Sequence, residues 1–249
     1  MNNVQTFSQR SDQYAKNRPQ YPDELFFYLS EISPTHSSAW DCATGNGQAA
    51  VSLAGYFAHV EATDFSAEQI GHAIPHPKVR YSLSPAEQTP FEKEAFDLVT
   101  VATAFHWFDQ PKFFQEVDRV LKPMGVLTIW SYGFFSVNAE IDTFIDAELY
   151  KPIDPFWAEG NRQMFRGYSD VSFPFDAIQD LPTFSMKMDW DLGQLLAFLQ
   201  TWSAVKRYTV ERGINPVDEV EPRLRSLWGD AETIKAVKMP LILIARRKP

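Results

Sequence analysis

Short apolar runs alternate with helix-like segments along the first half of the chain. Strands are expected, in order, at 38–42, 59–64, 78–83, 96–105 and 125–132. Helices are expected from Gln48 to Phe57, after Ser66 as an N-cap, and over 111–123. Strands that alternate with helices in this way predict an α/β fold with a parallel sheet and crossover helices on both faces.

The pattern changes after Tyr132, where aromatic residues and prolines accumulate without a clean alternation of strands and helices. Ordinary core packed under loops would account for this composition, and so would a cap that lines a ligand pocket with aromatic surface. We place the cap insertion at 133–183. Further elements are expected at 184–190 (strand), 192–205 (helix), 219–229 (helix) and 237–248 (strand). Because no helix follows the final strand, that strand can pair antiparallel within the sheet.

The composition narrows the classes of partner. A net charge of −9 disfavours a nucleic-acid-binding surface, because such surfaces neutralise phosphates with Lys and Arg. The longest apolar run, at 241–245, is too short to span a bilayer, and the N-terminus has no apolar signal segment. We expect a cytoplasmic protein that acts on neither nucleic acid nor membrane. The single cysteine, Cys42, and the five histidines form no zinc-type spacing, so no metal site is expected.

The stretch "WDCATGNGQAA" at 40–50 follows the first expected strand and has the composition of a ligand-binding loop. Gly45 and Gly47 allow a tight turn and a close approach of the backbone to a ligand. Asp64 closes the second strand, where its carboxylate can accept hydrogen bonds from both hydroxyls of a ribose. Together these features predict an adenosine-containing cofactor.

Two such cofactors compete for this loop. The glycines, Ala50 and then Asp64 satisfy the fingerprint G-x-G-x-x-G/A, which would make the chain an NAD-dependent oxidoreductase. Sites for S-adenosylmethionine instead place an acid before the glycines, in the frame acid-x-G-x-G-x-G, which Asp41 satisfies with Ala43 at the first glycine. A carboxylate at Asp41 would repel a pyrophosphate but suits a ligand that carries an ammonium and a sulfonium. The frame therefore favours S-adenosylmethionine, with NAD as the alternative.

The chain resembles class I S-adenosylmethionine-dependent methyltransferases, in particular the small-molecule branch that includes trans-aconitate methyltransferase-like proteins. The likeness runs from about residue 6 to the C-terminus, in "FSQRSDQYAKNRPQYP", "WDCATGNGQAA", "ATDFSAEQI", "SPAEQTPF", "FDLVTVATAFHWFD", "VLKPMGVLTIWSY" and "TWSAVKRY". It implies one methyltransferase domain over 1–249, with a Rossmann-like, seven-stranded, mostly parallel sheet and an antiparallel last strand. The implied reaction is methyl transfer to a small organic acceptor, through a carboxylate or a hydroxyl.

The resemblance also implies roles for individual residues around the cofactor. Asp64 would bind the ribose hydroxyls, and Phe65 would contact the adenine or pack on the second helix. Ala86 and Glu87, in "SPAEQ", would recognise the adenine edge. The positions near the methionine portion would be Asp41, Ala43, Thr44, Gly45, Gly47, Ala102 and Thr103, of which Thr44 and Gly45 would also lie beside the ribose. Tyr14 and Arg18 would lie in a segment that folds over the cofactor, where Arg18 could pair with the methionine carboxylate.

The acceptor side is less defined by the sequence. A general base is needed only when the acceptor must lose a proton, and His106, in "FHWFD", is the histidine placed for that role. His106 and Trp107 could instead pack or orient the acceptor side of the pocket. A carboxylate acceptor would need a cation rather than a base, for which the candidates are Arg162, Arg166 and Arg207. A cofactor-binding protein that has lost catalysis is a further alternative, and the sequence does not set the oligomeric state.

Overall fold

A computed structural model describes residues 20–249 of the chain. Five parallel strands form the centre of the sheet, in the spatial order β3-β2-β1-β4-β5. They are β1 (Ser38–Cys42), β2 (His59–Asp64), β3 (Val79–Leu83), β4 (Phe96–Ala102) and β5 (Leu121–Tyr132). The strand order reverses between β1 and β4, so the crevice at their carboxyl ends is the expected place for a ligand in such a sheet.

Three more strands extend the sheet beyond β5. The last strand, β8 (Lys235–Arg247), is antiparallel to β5 and also to β7 (Ser185–Trp190). A two-residue strand, β6 (Asp176–Ala177), pairs with the end of β8. The α/β fold with a mostly parallel sheet and an antiparallel last strand is thus confirmed. The sheet has eight strands where seven were expected, and β6 is the addition.

Helices cover both faces of the parallel strands, because those strands carry apolar side chains on both sides. One face holds α1 (Asp23–Ile32) and α2 (Gln48–Leu53), which pack on the sheet around Trp130. The other holds α4 (Gln110–Val120), whose Phe113 packs with the ring of Trp40. Between them in sequence, α3 (Ala67–Gly71) begins after Ser66, whose hydroxyl caps it as predicted.

The helices after β5 form a second core together with β7 and part of β8. They are α5 (Ala139–Ile145), α6 (Lys151–Ile153), α7 (Glu159–Phe165), α8 (Leu192–Gln200), α9 (Ser203–Arg212) and α10 (Pro216–Trp228). A π-helical stretch joins α5 to α6. Ile141 and Leu149 of the segment 133–183 share buried contacts with Leu195 and Leu224 of the later helices. Within residues 20–249, no helix has both the length and the apolar character needed to cross a membrane.

Some element boundaries differ from the expected ones for local reasons. The strand expected to reach residue 105 ends at Ala102, because Thr103 has a left-handed φ of 56°. The helix expected over 111–123 ends at Val120, because Leu121 already pairs with β4. The helix expected over 192–205 is divided into α8 and α9, since Trp202 is extended between them.

Candidate functional site

The loop after β1 contains three residues with left-handed backbone conformations, which residues with side chains rarely adopt. Ala43, Gly45 and Gly47 have φ values of 54°, 59° and 86°, all in the left-handed region. A Cβ at Gly47 would lie 2.1 Å from the hydroxyl of Tyr81, so only glycine fits there. The loop is anchored to β2 by the Thr44 N–H, which donates to the Thr63 carbonyl at 2.9 Å.

A second strained residue ends the neighbouring strand. Ala43 and Thr103 follow β1 and β4 directly, and neither is a glycine, yet both have positive φ. Each such residue costs on the order of 1–2 kcal/mol, and strain of this kind concentrates at functional sites. The Thr103 N–H donates to the Trp130 carbonyl at 2.7 Å, and its hydroxyl lies 3.3 Å from the hydroxyl of Tyr21. Ala43 stands at the first glycine of the frame acid-x-G-x-G-x-G, and its φ of 54° is one that glycine adopts more easily.

Asp41 lies beneath this loop rather than on its surface. Its side chain is fully buried, and its two carboxylate oxygens accept hydrogen bonds from the hydroxyls of Thr44 and Thr100. Burial raises the pKa of Asp41 to about 6, against the opposing effect of these hydrogen bonds. Asp41 therefore fixes the base of the loop and adds a negative potential below it when it is ionised.

Asp64 connects the glycine loop to the end of β2. One carboxylate oxygen accepts from the Gly45 N–H and the other from the Ser66 N–H, each at 2.9 Å. Burial raises the pKa of this carboxyl above its usual value. An ionised carboxylate has about four acceptor positions, so Asp64 retains acceptor positions beyond those that the backbone N–H groups occupy. The hydroxyls of a ribose above Gly45 could use them, since a Cβ on Gly45 would have its nearest neighbour at 3.8 Å.

The strand ends beside Asp64 expose apolar side chains. Phe65 is 61% exposed, and Leu83, which pairs with Asp64 in the sheet register, is 58% exposed. The "SPAEQ" loop continues from there: the Ser84 N–H donates to the Asp64 carbonyl at 3.1 Å, and Ala86 is buried. An apolar, exposed pair next to an acid suits a planar heterocycle. Leu83 was not among the residues that the sequence indicated. It lies beside Asp64 because the two residues pair in the register of β2 and β3.

The other described cofactor candidates lie close to these elements. Glu87 accepts a hydrogen bond from the Asp109 N–H at 3.0 Å, which ties the adenine-side loop to the start of α4. Ala102 ends β4 opposite Trp130 of β5. Tyr14 and Arg18, which are predicted to fold over the cofactor, lie outside the described residues.

His106 lies in a short turn, Phe105–Trp107, just beyond β4. Its Nδ1 is 3.3 Å from the hydroxyl of Tyr168, a residue that the sequence reasoning missed. Burial lowers the pKa of His106 to about 4, so the imidazole is neutral at physiological pH. The ring of Trp107 lies 4.6 Å from that of His106, centroid to centroid, and Trp107 is an exposed aromatic side chain.

The three candidate arginines contact groups of the second core. Arg162 donates to the carboxylate and the carbonyl of Asp154. Arg166 forms ion pairs with Glu159 at 2.7 Å and with Asp170 at 3.1 Å. Arg207 donates to the Phe156 carbonyl at 3.3 Å. Ion pairs of Arg162 and Arg166 with acids of their own segment offset much of the charge that an anionic acceptor would use.

Aromatic rings cluster at the carboxyl end of β5. Phe134, just after β5, stacks on Tyr150 at 4.2 Å and on Phe165 at 4.8 Å between ring centroids. Trp202 lies 5.5 Å from Tyr150, and Trp157 lies 5.1 Å from Phe165. We call these five residues the aromatic cluster. Phe134 is partly exposed, so the cluster presents apolar surface after the end of β5, the strand that pairs with β4.

Comparisons with known proteins identify the family. Residues 40–129, which include the glycine loop and Asp64, match the family described as a methyltransferase domain. A Dictyostelium discoideum protein described as a methyltransferase is 30% identical over 250 residues, which cover 97% of this chain and 94% of that protein. The chain belongs to the S-adenosylmethionine-dependent methyltransferases. S-adenosylmethionine is accordingly the cofactor, and the comparisons do not favour the NAD alternative.

Solved structures agree with the assignment of this chain to the methyltransferases. The structure of a protein from Anaeromyxobacter dehalogenans, described as a type II methyltransferase, is 35% identical, with a TM-score of 0.87 over 92% of this chain and 97% of that one. A protein from Bacillus halodurans, also described as a methyltransferase, is 20% identical, with a TM-score of 0.51 over 90% of this chain and 98% of that one. The second likeness shows the fold alone.

Proposed function

We propose that this methyltransferase acts on a small organic acceptor, as in the branch that resembles trans-aconitate methyltransferase-like proteins. The observation that carries the proposal is the junction at the carboxyl end of β4. The glycine loop follows β1, which lies next to β4 in the sheet, Asp64 ends β2 on the far side of β1, and the turn Phe105–Trp107 follows β4 and packs against α7. The net charge of −9 supports a small molecule rather than a nucleic acid.

The described residues form two groups, one for the adenosine portion of the cofactor and one for its methionine portion. Asp64 would accept hydrogen bonds from the ribose hydroxyls, with Phe65 and Leu83 beside the adenine. Ala86 and Glu87 would border the adenine edge. The loop of Ala43, Thr44, Gly45 and Gly47, with Asp41 below it and Ala102 and Thr103 beside it, would border the methionine portion.

S-adenosylmethionine held by the glycine loop and Asp64 would supply a methyl group bonded to a sulfonium, for transfer to a lone pair of the acceptor. The protein's own part is to position the acceptor in line and to exclude water, which can lower the barrier by about 7–11 kcal/mol. The turn Phe105–Trp107 begins three residues after β4, so His106 and Trp107 would border the acceptor.

The aromatic cluster supports an acceptor with a planar or apolar body. Stacked rings bind such a body through apolar contact and edge or face packing. Arg162 and Arg166 are paired with acids, which makes a fully anionic acceptor the less favoured candidate in our proposal. Truncation of Phe134, the exposed member of the cluster, should mainly raise the KM for the acceptor.

The test is an acceptor panel with S-adenosylmethionine, in which formation of S-adenosylhomocysteine and of methylated product is followed by mass spectrometry. The panel contains planar phenols, aromatic ketones and acids, and short aliphatic di- and tricarboxylates. We expect turnover with planar compounds, a higher KM for Phe134→Ala, and loss of turnover for Asp64→Ala. Binding of S-adenosylmethionine without transfer to any compound would favour a protein that binds the cofactor but has lost catalysis.

A further inference from the structure

We infer that Tyr168 is a positioning residue that makes His106 a hydrogen-bond donor, through its Nε2–H, toward the methyl acceptor. The acceptor would then present an oxygen or nitrogen lone pair to His106, and His106 would not serve as the base. The direction of the donor toward an acceptor rests on the proposed function. The hydrogen bond between Tyr168 and His106 does not.

The turn that ends α7 places Tyr168 next to His106. The Tyr168 N–H donates to the Gln163 carbonyl and the Gly167 N–H donates to the Met164 carbonyl, both at 2.9 Å. This pair of bonds is the Schellman motif that ends many helices. Gly167 and Tyr168 have φ values of 63° and 55°, so a non-glycine residue is held in a left-handed conformation directly after the glycine. The local strain indicates that the tertiary contacts of Tyr168 fix this turn.

The contacts of Tyr168 determine which of the two atoms, its hydroxyl or Nδ1 of His106, is the hydrogen-bond donor. Tyr168 is 2% exposed, and its ring packs edge-on against Phe105 at 5.2 Å. Among residues 20–249, the hydrogen-bond partner of its hydroxyl is Nδ1 of His106, at 3.3 Å. If Nδ1 carried the proton, the phenol hydrogen would remain buried without an acceptor, which is unfavourable. The Tyr168 O–H therefore donates to Nδ1.

The rest of the imidazole follows from this assignment. A neutral imidazole carries one proton, so an accepting Nδ1 places that proton on Nε2. The Cδ2 edge of the ring faces Gly160, where an added Cβ would lie 3.4 Å from Cδ2. None of the described residues is hydrogen-bonded to Nε2, and His106 is only partly buried. Nε2–H is thus the polar group that the turn leaves available to a ligand, and a protonated nitrogen cannot remove a proton.

The inference names a chemical class for the acceptor atom near His106. The atom that accepts the hydrogen bond from His106 is a carbonyl oxygen, an ionised oxygen or an unprotonated nitrogen. It belongs to a molecule with the planar or apolar body that the aromatic cluster accommodates. An acceptor that must lose its proton to a base within the site is not expected, so a phenol of the panel would react only as the phenolate already formed in solution. This deepens the proposed function without changing the cofactor.

The first test is ¹⁵N NMR of the ligand-free protein labelled at histidine, which requires neither cofactor nor acceptor. The His106 signals are assigned by their loss in His106→Gln. We expect a protonated Nε2 and an unprotonated Nδ1 in the wild type, and a mixture of tautomers in Tyr168→Phe, which keeps the ring packing. Tyr56→Phe, in which a hydroxyl bonded to Asp23 is removed, is the matched control and should leave the tautomer unchanged. A protonated Nδ1 in the wild type, or an unchanged spectrum in Tyr168→Phe, would overturn the inference.

The second test is kinetic and uses any acceptor that the panel identifies. His106→Gln keeps an N–H near the position of Nε2, whereas His106→Asn keeps one near Nδ1. We expect His106→Gln to retain at least ten-fold more of the wild-type kcat/KM than His106→Asn, with the affinity for S-adenosylmethionine unchanged in both. An equal loss of kcat/KM in the two variants would contradict the role of Nε2–H as a hydrogen-bond donor. If no acceptor is turned over although the tautomer is as expected, the proposed function fails while the Tyr168 contact stands.

Discussion

At the scale of single residues, strain and buried charge meet at the ends of neighbouring strands. Ala43 and Thr103 are left-handed without being glycines, and Asp41 and Asp64 are acids largely removed from solvent. The sequence could predict the positions of both acids and the glycines, because their spacing follows the β-loop-α unit. It could not predict the φ of Ala43 or the burial of Asp41 beneath Thr44, because both depend on how the loop sits on β2 and β4.

The buried carboxyl of Asp41 gives a stability prediction with a defined sign. Its pKa is raised from 3.8 to about 6 in the folded state, so between these pH values the folded state holds more protons than the unfolded state. Stability from this group therefore falls as the pH rises from about 4 to 6. Asp41→Asn removes the titration and keeps the shape. The variant should gain stability relative to the wild type over this range, on the order of 2–3 kcal/mol by pH 7.5.

Thermal and urea unfolding of both proteins at pH 4.5 and pH 7.5 measures this effect. The difference between variant and wild type isolates Asp41, because every other titrating group is common to the two. A difference that does not change with pH would show that Asp41 titrates as it does in the unfolded chain.

At the scale of elements, α7 fixes the surroundings of His106, which we propose borders the acceptor. It carries Gly160 against the backbone of His106 in its first turn and leads to Tyr168 at its end. The sequence predicted no helix here, because the segment 133–183 has no clear periodicity and its helices are short. The contacts that place α7 join residues more than fifty positions apart, and such pairings are not visible in a single sequence.

Gly160→Ala tests the close packing of α7. A Cβ at this position would lie 2.8 Å from the His106 carbonyl oxygen, which is a backbone atom and cannot move alone. We expect a loss of stability of about 1–3 kcal/mol, because the helix and the turn must separate. Gly71→Ala is the matched control, since a Cβ there meets nothing within 4 Å at the end of α3.

In the control, alanine should be neutral or stabilise the protein by up to about 1 kcal/mol, as expected for glycine replacement in a helix. Differential scanning calorimetry of the two variants gives both values. Equal stability of Gly160→Ala and Gly71→Ala would contradict the packing described for α7.

At the scale of the whole molecule, the sheet was the most predictable feature. Buried parallel strands are continuous apolar runs, and their alternation with helices sets the order in which they can assemble. The antiparallel pairing of the last strand, β8, with β5 agrees with the prediction. The two-residue β6 and the second core shared by the segment 133–183 and the late helices could not be foreseen, because both depend on contacts between distant parts of the chain.

The central claim is that the crevice formed by the glycine loop and Asp64 holds S-adenosylmethionine. Isothermal titration calorimetry of the wild type and of Asp64→Ala, with S-adenosylmethionine and separately with NAD, tests it most directly. We predict micromolar binding of S-adenosylmethionine that weakens about ten- to hundred-fold in Asp64→Ala, because the ribose loses hydrogen bonds to a charged group worth about 1.5–3 kcal/mol. Unchanged affinity in a folded Asp64→Ala, or binding of NAD alone, would contradict the account.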